Sequence, residues 1–171
     1  PYNVTKFYDS LKALAEDRTI DAVYIASPNA FHCSQAIQMM KAGKHVLCEK
    51  SLASNKKEAE EMFRTAAENN VILLEAMRPV FDPGMDAVKA SLNKLGVIRR
   101  ATLNYCQYSS RYDSFLQGHE HNIFSKECSA GALMDIGTYC VHSLLCLFGK
   151  PQKVMGFSDM IRGDIDGAGT I

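Results

Sequence analysis

The sequence predicts an α/β protein: a parallel sheet built from strand–helix units, followed by a mixed α+β region. Three observations lead there. Short apolar runs rich in β-formers recur at 21–26, 45–48 and 71–74. Segments with helical apolar spacing lie between them. Beyond Phe81 this regular alternation stops. Alternating strands and helices at such spacing close into a parallel sheet with right-handed crossovers. With 171 residues, of which 47% are hydrophobic, the chain can bury a core and suits one domain or parts of two.

Each element has a local reason. Asp9 can cap a short helix carrying Leu11, Leu14 and Ala15 on one side. The run 21–26 reads as a buried strand, broken by Ser27-Pro28-Asn29. A helix follows with Phe31, Ala36, Ile37 and Met40 inward, and Gly43 just past its end. Residues 45–48 form the second strand. Asn55 and Glu58 have capping-box spacing, and the next helix places Ala59, Met62, Phe63, Ala66 and Ala67 on one face. Asn69-Asn70 turns the chain into the third strand, 71–74.

In the second part, Asp82-Pro83 supplies an N-cap and first helical position for a helix carrying Val88 and Leu92, ended by Gly96. Residues 97–109 mix β-formers with polar residues, as a half-exposed strand does. The stretch 110–129 is polar and without period, which predicts a loop. A helix is expected over 131–148, stopped by Gly149-Lys150-Pro151. A strand is expected over 153–161, and the start of another in the tail.

Composition narrows the function classes. Lys+Arg and Asp+Glu are both 19, so the formal net charge is zero. A nucleic-acid or anionic-membrane surface would need a basic excess, so neither partner is expected. No apolar stretch is expected to reach the ~20 residues of a bilayer span, and no signal-peptide pattern opens the chain. The cysteines at 33, 48, 106, 128, 140 and 146 make no Cys-x-x-Cys pair, so no metal site is expected. Free thiols in apolar runs suit a reducing compartment, and a cytoplasmic location is expected.

Two segments carry chemistry. Glu49-Lys50 falls where the second strand ends, which in an open parallel sheet faces the ligand crevice. Asp135, Tyr139 and His142 have helical spacing after a glycine-rich start, and Asp135 and Tyr139, four apart, share a helix face. For each the plainer reading is a solvated lysine, a dipole-favoured charge at a helix start and a hydrogen-bonded core histidine.

Four ordered segments resemble the Gfo/Idh/MocA family of NAD(P)-dependent oxidoreductases, the glucose-fructose oxidoreductase and inositol dehydrogenase group. They are Ile20-Asp-Ala-Val-Tyr-Ile-Ala-Ser-Pro-Asn29 with His32; His45-Val-Leu-Cys-Glu-Lys50; Val71 to Met77 with Phe81 and Pro83; and Gly131-Ala-Leu-Met-Asp-Ile-Gly-Thr-Tyr139. The Asp-Ile-Gly-x-Tyr form is similar to the subgroup with dihydrodiol and sugar dehydrogenases. The resemblance implies a partial Rossmann-type parallel sheet, followed by part of an α+β substrate and dimerisation domain. Residues 1–78 would be the C-terminal part of the dinucleotide-binding domain and 79–171 the N-terminal part of the substrate domain.

It also implies roles. NAD or NADP would be the cofactor, and a sugar, polyol or dihydrodiol the substrate. Ser27, Pro28, Asn29 and His32 would line the pyrophosphate and ribose, with Glu49 and Lys50 at the nicotinamide ribose. Lys50, Asp135 and Tyr139 would be catalytic, and Tyr139 would transfer the substrate hydroxyl proton. Lys50, Arg78, Asp135, Tyr139 and His142 would bind substrate, with Arg111, Tyr112 and His121 as further candidates. The full-length protein would form a homo-oligomer through its C-terminal sheet. A non-catalytic cofactor sensor or interaction module on the same fold is the alternative, which the retained Lys50, Asp135 and Tyr139 disfavour.

Three departures from the family pattern stand out. Ser51 replaces the usual proline after the Glu-Lys pair, which predicts a trans Lys50–Ser51 bond, since a cis bond before a non-proline residue costs ~2.5–4 kcal/mol. Ala130 replaces a glycine. The family's first strand, its Gly-x-Gly-x-x-Gly turn and the acidic residue ending strand two do not occur, nor does the end of the C-terminal sheet. The chain is therefore expected to be an internal portion of a longer oxidoreductase, inactive alone and weak in dinucleotide binding.

Overall fold

In a computed structural model, which describes residues 4–171, the chain divides after Ala76 into two compact units. The first is a three-stranded sheet with helices on one face. Its strands are β1 (Ala22–Ile25), β2 (His45–Cys48) and β3 (Leu73–Glu75), in the order β1-β2-β3. Both pairings are parallel, with Val23 opposite Val46 and Val46 opposite Leu73. The expected parallel α/β fold is therefore present.

The helices are α1 (Leu11–Glu16), α2 (His32–Lys41) and α3 (Lys56–Glu68). Ser10 rather than Asp9 caps α1, its side chain accepting from Ala13 N–H. Asn55 accepts from Glu58 N–H at 3.0 Å, while Glu58 reaches back to Ser54 N–H at 3.0 Å. The box thus closes one residue further out than its usual form. Gly43 ends α2 with φ +77°, the left-handed conformation glycine adopts without penalty.

The core is Ile25, Cys33, Ala36, Met39, Met40, Val46, Cys48, Met62, Ala66 and Leu73. Alternation along β1 and β2 turns Ile25, Val46 and Cys48 onto α2 and α3 and leaves Tyr24 and Leu47 exposed. Two expected inward residues face out: Phe31 is 49% exposed and Phe63 55%. On α3 the buried face is Met62, Thr65 and Ala66, a rotation of the expected stripe toward Thr65.

The second unit is looser. Asp82 caps α4 (Pro83–Ser91) through Gly84 N–H at 2.8 Å, as expected. No strand forms over 97–109. The β-forming composition is there, but among the described residues no strand pairs with it, and backbone groups without a ladder do not make a sheet. The expected loop at 110–129 contains α5 (Tyr112–Leu116) and two short 3₁₀ turns. These are held by an aromatic cluster of Tyr112, Phe115 and Phe124.

The helix expected at 131–148 is α6 (Thr138–Phe148) preceded by a π-helical turn, Leu133–Gly137. The tail completes an antiparallel hairpin of β4 (Phe157–Ile161) and β5 (Ile165–Thr170), with a bulge between Asp159 and Met160.

One helical run, Lys126–Phe148, has by length (23 residues) and composition what a bilayer span needs, correcting the expectation that no stretch comes near it. The run is not one continuous helix, because Ser129 (φ +53°) and Gly131 (φ +109°) interrupt it in left-handed conformations.

Candidate active site

The first unit brings most of its expected site residues to the carboxyl ends of its strands. The turn Ser27-Pro28-Asn29 follows β1, and Asn29 opens a 3₁₀ turn into α2. Glu49 and Lys50 follow β2 directly and are half-buried. Glu49 is oriented by two donors: the Tyr24 hydroxyl donates to Oε1, and Lys50 N–H donates to Oε2 at 3.2 Å. Tyr24 was missed by sequence reasoning. Its only signal is its place on the β1 face opposite the core, one residue before the strand's end at Ile25.

His32 is fully buried, and both ring nitrogens lie 2.8 Å from carbonyl oxygens: Nε2 from Ser27 and Nδ1 from Ser51. It joins the chain after β1 to the chain after β2 instead of presenting a nitrogen to solvent. Leu52 N–H donates to Glu75 Oε1 at 2.9 Å, so the segment after Lys50 is also tied to the end of β3. The Lys50–Ser51 bond is cis, which corrects the expectation of trans.

Burial acts on the thiol beneath this edge. Desolvation, followed by the charges of Glu75 and Glu49, pushes Cys48 up to about 12, so it stays a neutral thiol and serves packing.

In the second unit, Asp135 lies in the π turn and Tyr139 at the start of α6, both half-buried. Asp135 N–H donates to Gly131 O at 2.8 Å. The Tyr139 ring packs against Tyr105 with centroids 5.7 Å apart. His142 Nε2 meets Cys146 Sγ at 3.2 Å, one turn on. Arg78 is exposed in a 3₁₀ turn. Asp166 was also missed: its Oδ2 accepts from Leu133 N–H at 2.6 Å. Nothing local signals a carboxylate 33 residues downstream as a helix cap.

A cavity of about 390 Å³ in this unit is lined by Phe115, His121, Phe124, Lys126 and Arg162, among others. Of the candidate substrate residues only His121 lines it; Asp135 and Tyr139 do not. Arg162 lies over the Phe115 ring at 4.3 Å and donates to the Phe115 carbonyl at 2.5 Å. Among the described residues no group of His, Cys, Asp and Glu could hold a metal ion.

A parallel sheet presenting a turn, a carboxylate and a lysine at the carboxyl ends of its strands places them where open α/β folds, the dinucleotide-binding ones included, hold their ligands. Residues 2–77 match the family model described as "Oxidoreductase family, NAD-binding Rossmann fold", and residues 89–170 match the "GFO/IDH/MocA C-terminal domain". The chain belongs to the Gfo/Idh/MocA family.

It is 48% identical over 170 residues to scyllo-inositol 2-dehydrogenase (NADP(+)) IolU of Bacillus subtilis, covering 99% of this chain and 52% of that protein. It is 32% identical to trans-1,2-dihydrobenzene-1,2-diol dehydrogenase of Mus musculus, covering 96% of this chain and 48% of the relative. The chain thus spans about half the length of the curated relatives it matches. Among solved structures, KijD10, a 3-ketoreductase from Actinomadura kijaniata in complex with TDP-benzene and NADP, superposes with a TM-score of 0.69 at 26% identity, covering 92% of this chain and 46% of that one. A putative oxidoreductase from Bacillus subtilis, 21% identical, shares the fold with a TM-score of 0.69, covering 95% and 45%.

Proposed function

We propose that the whole protein is an NAD(P)-dependent oxidoreductase that moves a hydride between its cofactor and the hydroxyl-bearing carbon of a sugar, polyol or dihydrodiol. The observation that carries this reading is the Glu49-Lys50 pair at the carboxyl end of a central parallel strand, in a family of NAD-binding oxidoreductases. A relative at 48% identity is a scyllo-inositol dehydrogenase, which favours a cyclic polyol and NADP.

The residues of the strand ends fit the ribose end of a dinucleotide. Glu49, fixed by Tyr24 and its own neighbour's N–H, offers a preoriented acceptor for ribose hydroxyls. Ser27, Pro28 and Asn29 shape the turn nearest the phosphates. His32 acts by holding that turn to the Lys50 segment. Bound cofactor supplies or accepts the hydride.

The chain's own part is proton handling and orientation. Lys50 brings a positive charge that favours the oxyanion form of the substrate oxygen. Tyr139 takes or returns the hydroxyl proton through its phenol oxygen, and Asp135 accepts a hydrogen bond from a substrate hydroxyl. Arg78 and His142 are secondary substrate contacts. In this reading residues 1–78 serve the cofactor and 79–171 the substrate, the protein works in the cytoplasm, where its six free cysteines stay reduced, and copies associate through the C-terminal sheet.

The test is nicotinamide absorbance with the whole protein against a panel of inositols, sugars and dihydrodiols. Lys50→Ala and Tyr139→Phe should each lower the rate by about 10²–10⁴-fold while cofactor binding changes little. Variants as active as the wild type would refute the roles.

A further inference from the structure

We propose that Asp166 is a positioning residue for the helix that carries Asp135 and Tyr139, an inference that rests on the oxidoreductase reading above. Three observations converge on it. The Asp166 carboxylate accepts from Leu133 N–H at 2.6 Å, and Leu133 opens the π turn in which Asp135 sits two residues on. Gly131 has φ +109°, and a Cβ placed on it would lie 2.0 Å from Asp166 Oδ1 and 3.2 Å from Ile165 Cγ1. The Asp166 carboxylate thus occupies the space that a side chain at residue 131 would fill, beside a backbone conformation that favours glycine. Ile165, next to Asp166, is buried and pairs with Ile161 across the hairpin, so the carboxylate is delivered from an anchored strand.

The chemistry suits the task. The first N–H groups of a helix lack partners within it, and a carboxylate there gains both a charge-assisted hydrogen bond and the dipole. The turn it fixes departs from α geometry, since Leu133–Gly137 is π-helical. Asp135 N–H closes on the Gly131 carbonyl, so the cap, the glycine and Asp135 form one unit. Asp166 acts through the Leu133 amide, at the start of the turn that holds Asp135. It sets the path of the backbone that carries them.

The experiment compares Asp166→Ala and Asp166→Asn in the whole protein. Asp166→Ala should lower kcat by about 10–100-fold, the scale of a small misplacement of catalytic groups, and leave the cofactor Kd within about twofold. Asp166→Asn keeps an acceptor oxygen and should recover most of the loss. Amide exchange at Leu133 to Tyr139 gives a readout independent of activity: it should rise in Asp166→Ala and return toward the wild type in Asp166→Asn. Unchanged exchange in Asp166→Ala overturns the proposal, as does faster exchange with unchanged kcat, and so does Asp166→Asn behaving as Asp166→Ala. If Asp166→Ala fails to fold, a wild-type-like Asp166→Asn supports the proposal and an Asp166→Asn with lowered kcat and faster exchange overturns it. A wild type inactive on every substrate refutes the oxidoreductase reading and leaves the exchange data to decide whether Asp166 holds the turn.

Discussion

The two units carry similar apolar patterns and bury them very differently. In the first, strands and helices sit on each other, and Met39, Met40, Met62 and Cys48 are completely sequestered. In the second, only Met77, Phe115 and Ile165 are buried among its apolar residues, and α4 and α6 have no buried residue at all. Val97 is 77% exposed and Phe157 73%. Amphipathic spacing is thus sufficient to set which residues are apolar, and insufficient to say that they are covered. Coverage needs a partner surface at the right distance. In the first unit each β–α–β crossover supplies one within a few tens of residues.

The largest expected effect tests this contrast directly. Met39→Ala should cost the first unit about 2–5 kcal/mol, because it empties a packed site that relaxes only in part. Val97→Ala in the second should stay within about 0.5 kcal/mol, as exposed substitutions do. Denaturant titration with a probe in each unit measures both, and equal losses would break the comparison.

Helix caps should behave alike in the two units, since a cap acts on its own first turn whatever covers the helix. Asn55→Ala and Asp82→Ala remove side chains that accept from Glu58 N–H and Gly84 N–H, and each should cost about 1 kcal/mol. Similar caps beside dissimilar cores would sharpen the comparison. A much smaller loss at Asp82 would show that the second unit's helices are marginal even locally.

The smallest effect is electrostatic. Hydrogen bonds from Lys6, Tyr8 and Thr19 hold the Asp17 carboxyl well below its ordinary value of 3.8. A depressed carboxylate stabilises the fold above its unfolded value and loses that contribution as pH falls through the folded one. Asp17→Asn should therefore leave stability below pH ~4 less steeply dependent on pH, with a small change at neutral pH because the cluster lies at the surface. Acid titration followed by circular dichroism reads this out. In the second unit the hydrogen bond from Lys126 lowers the Asp164 carboxyl in the same way, and Asp164→Asn should give a similarly small change.

The sequence by itself determined the strand–helix order of the first unit, the parallel sheet, the place of Lys50 at a strand end, the caps at Asn55 and Asp82 and the turns at Gly43 and Gly149. All of these rest on periodicity or on side chains acting within four residues of themselves, which a linear reading can see. Only the tertiary structure decided which face of α3 is buried, since that depends on where the sheet lies, and Thr65 rather than Phe63 meets it. It also decided that 97–109 forms no strand, because pairing requires a second strand that composition cannot supply. The same holds at the site. Glu49 and Asp135 were legible as motif residues. Tyr24 beneath Glu49, His32 between two carbonyls and Asp166 on the Leu133 amide were not legible in these positions, because each bond joins groups that only folding brings within 3 Å.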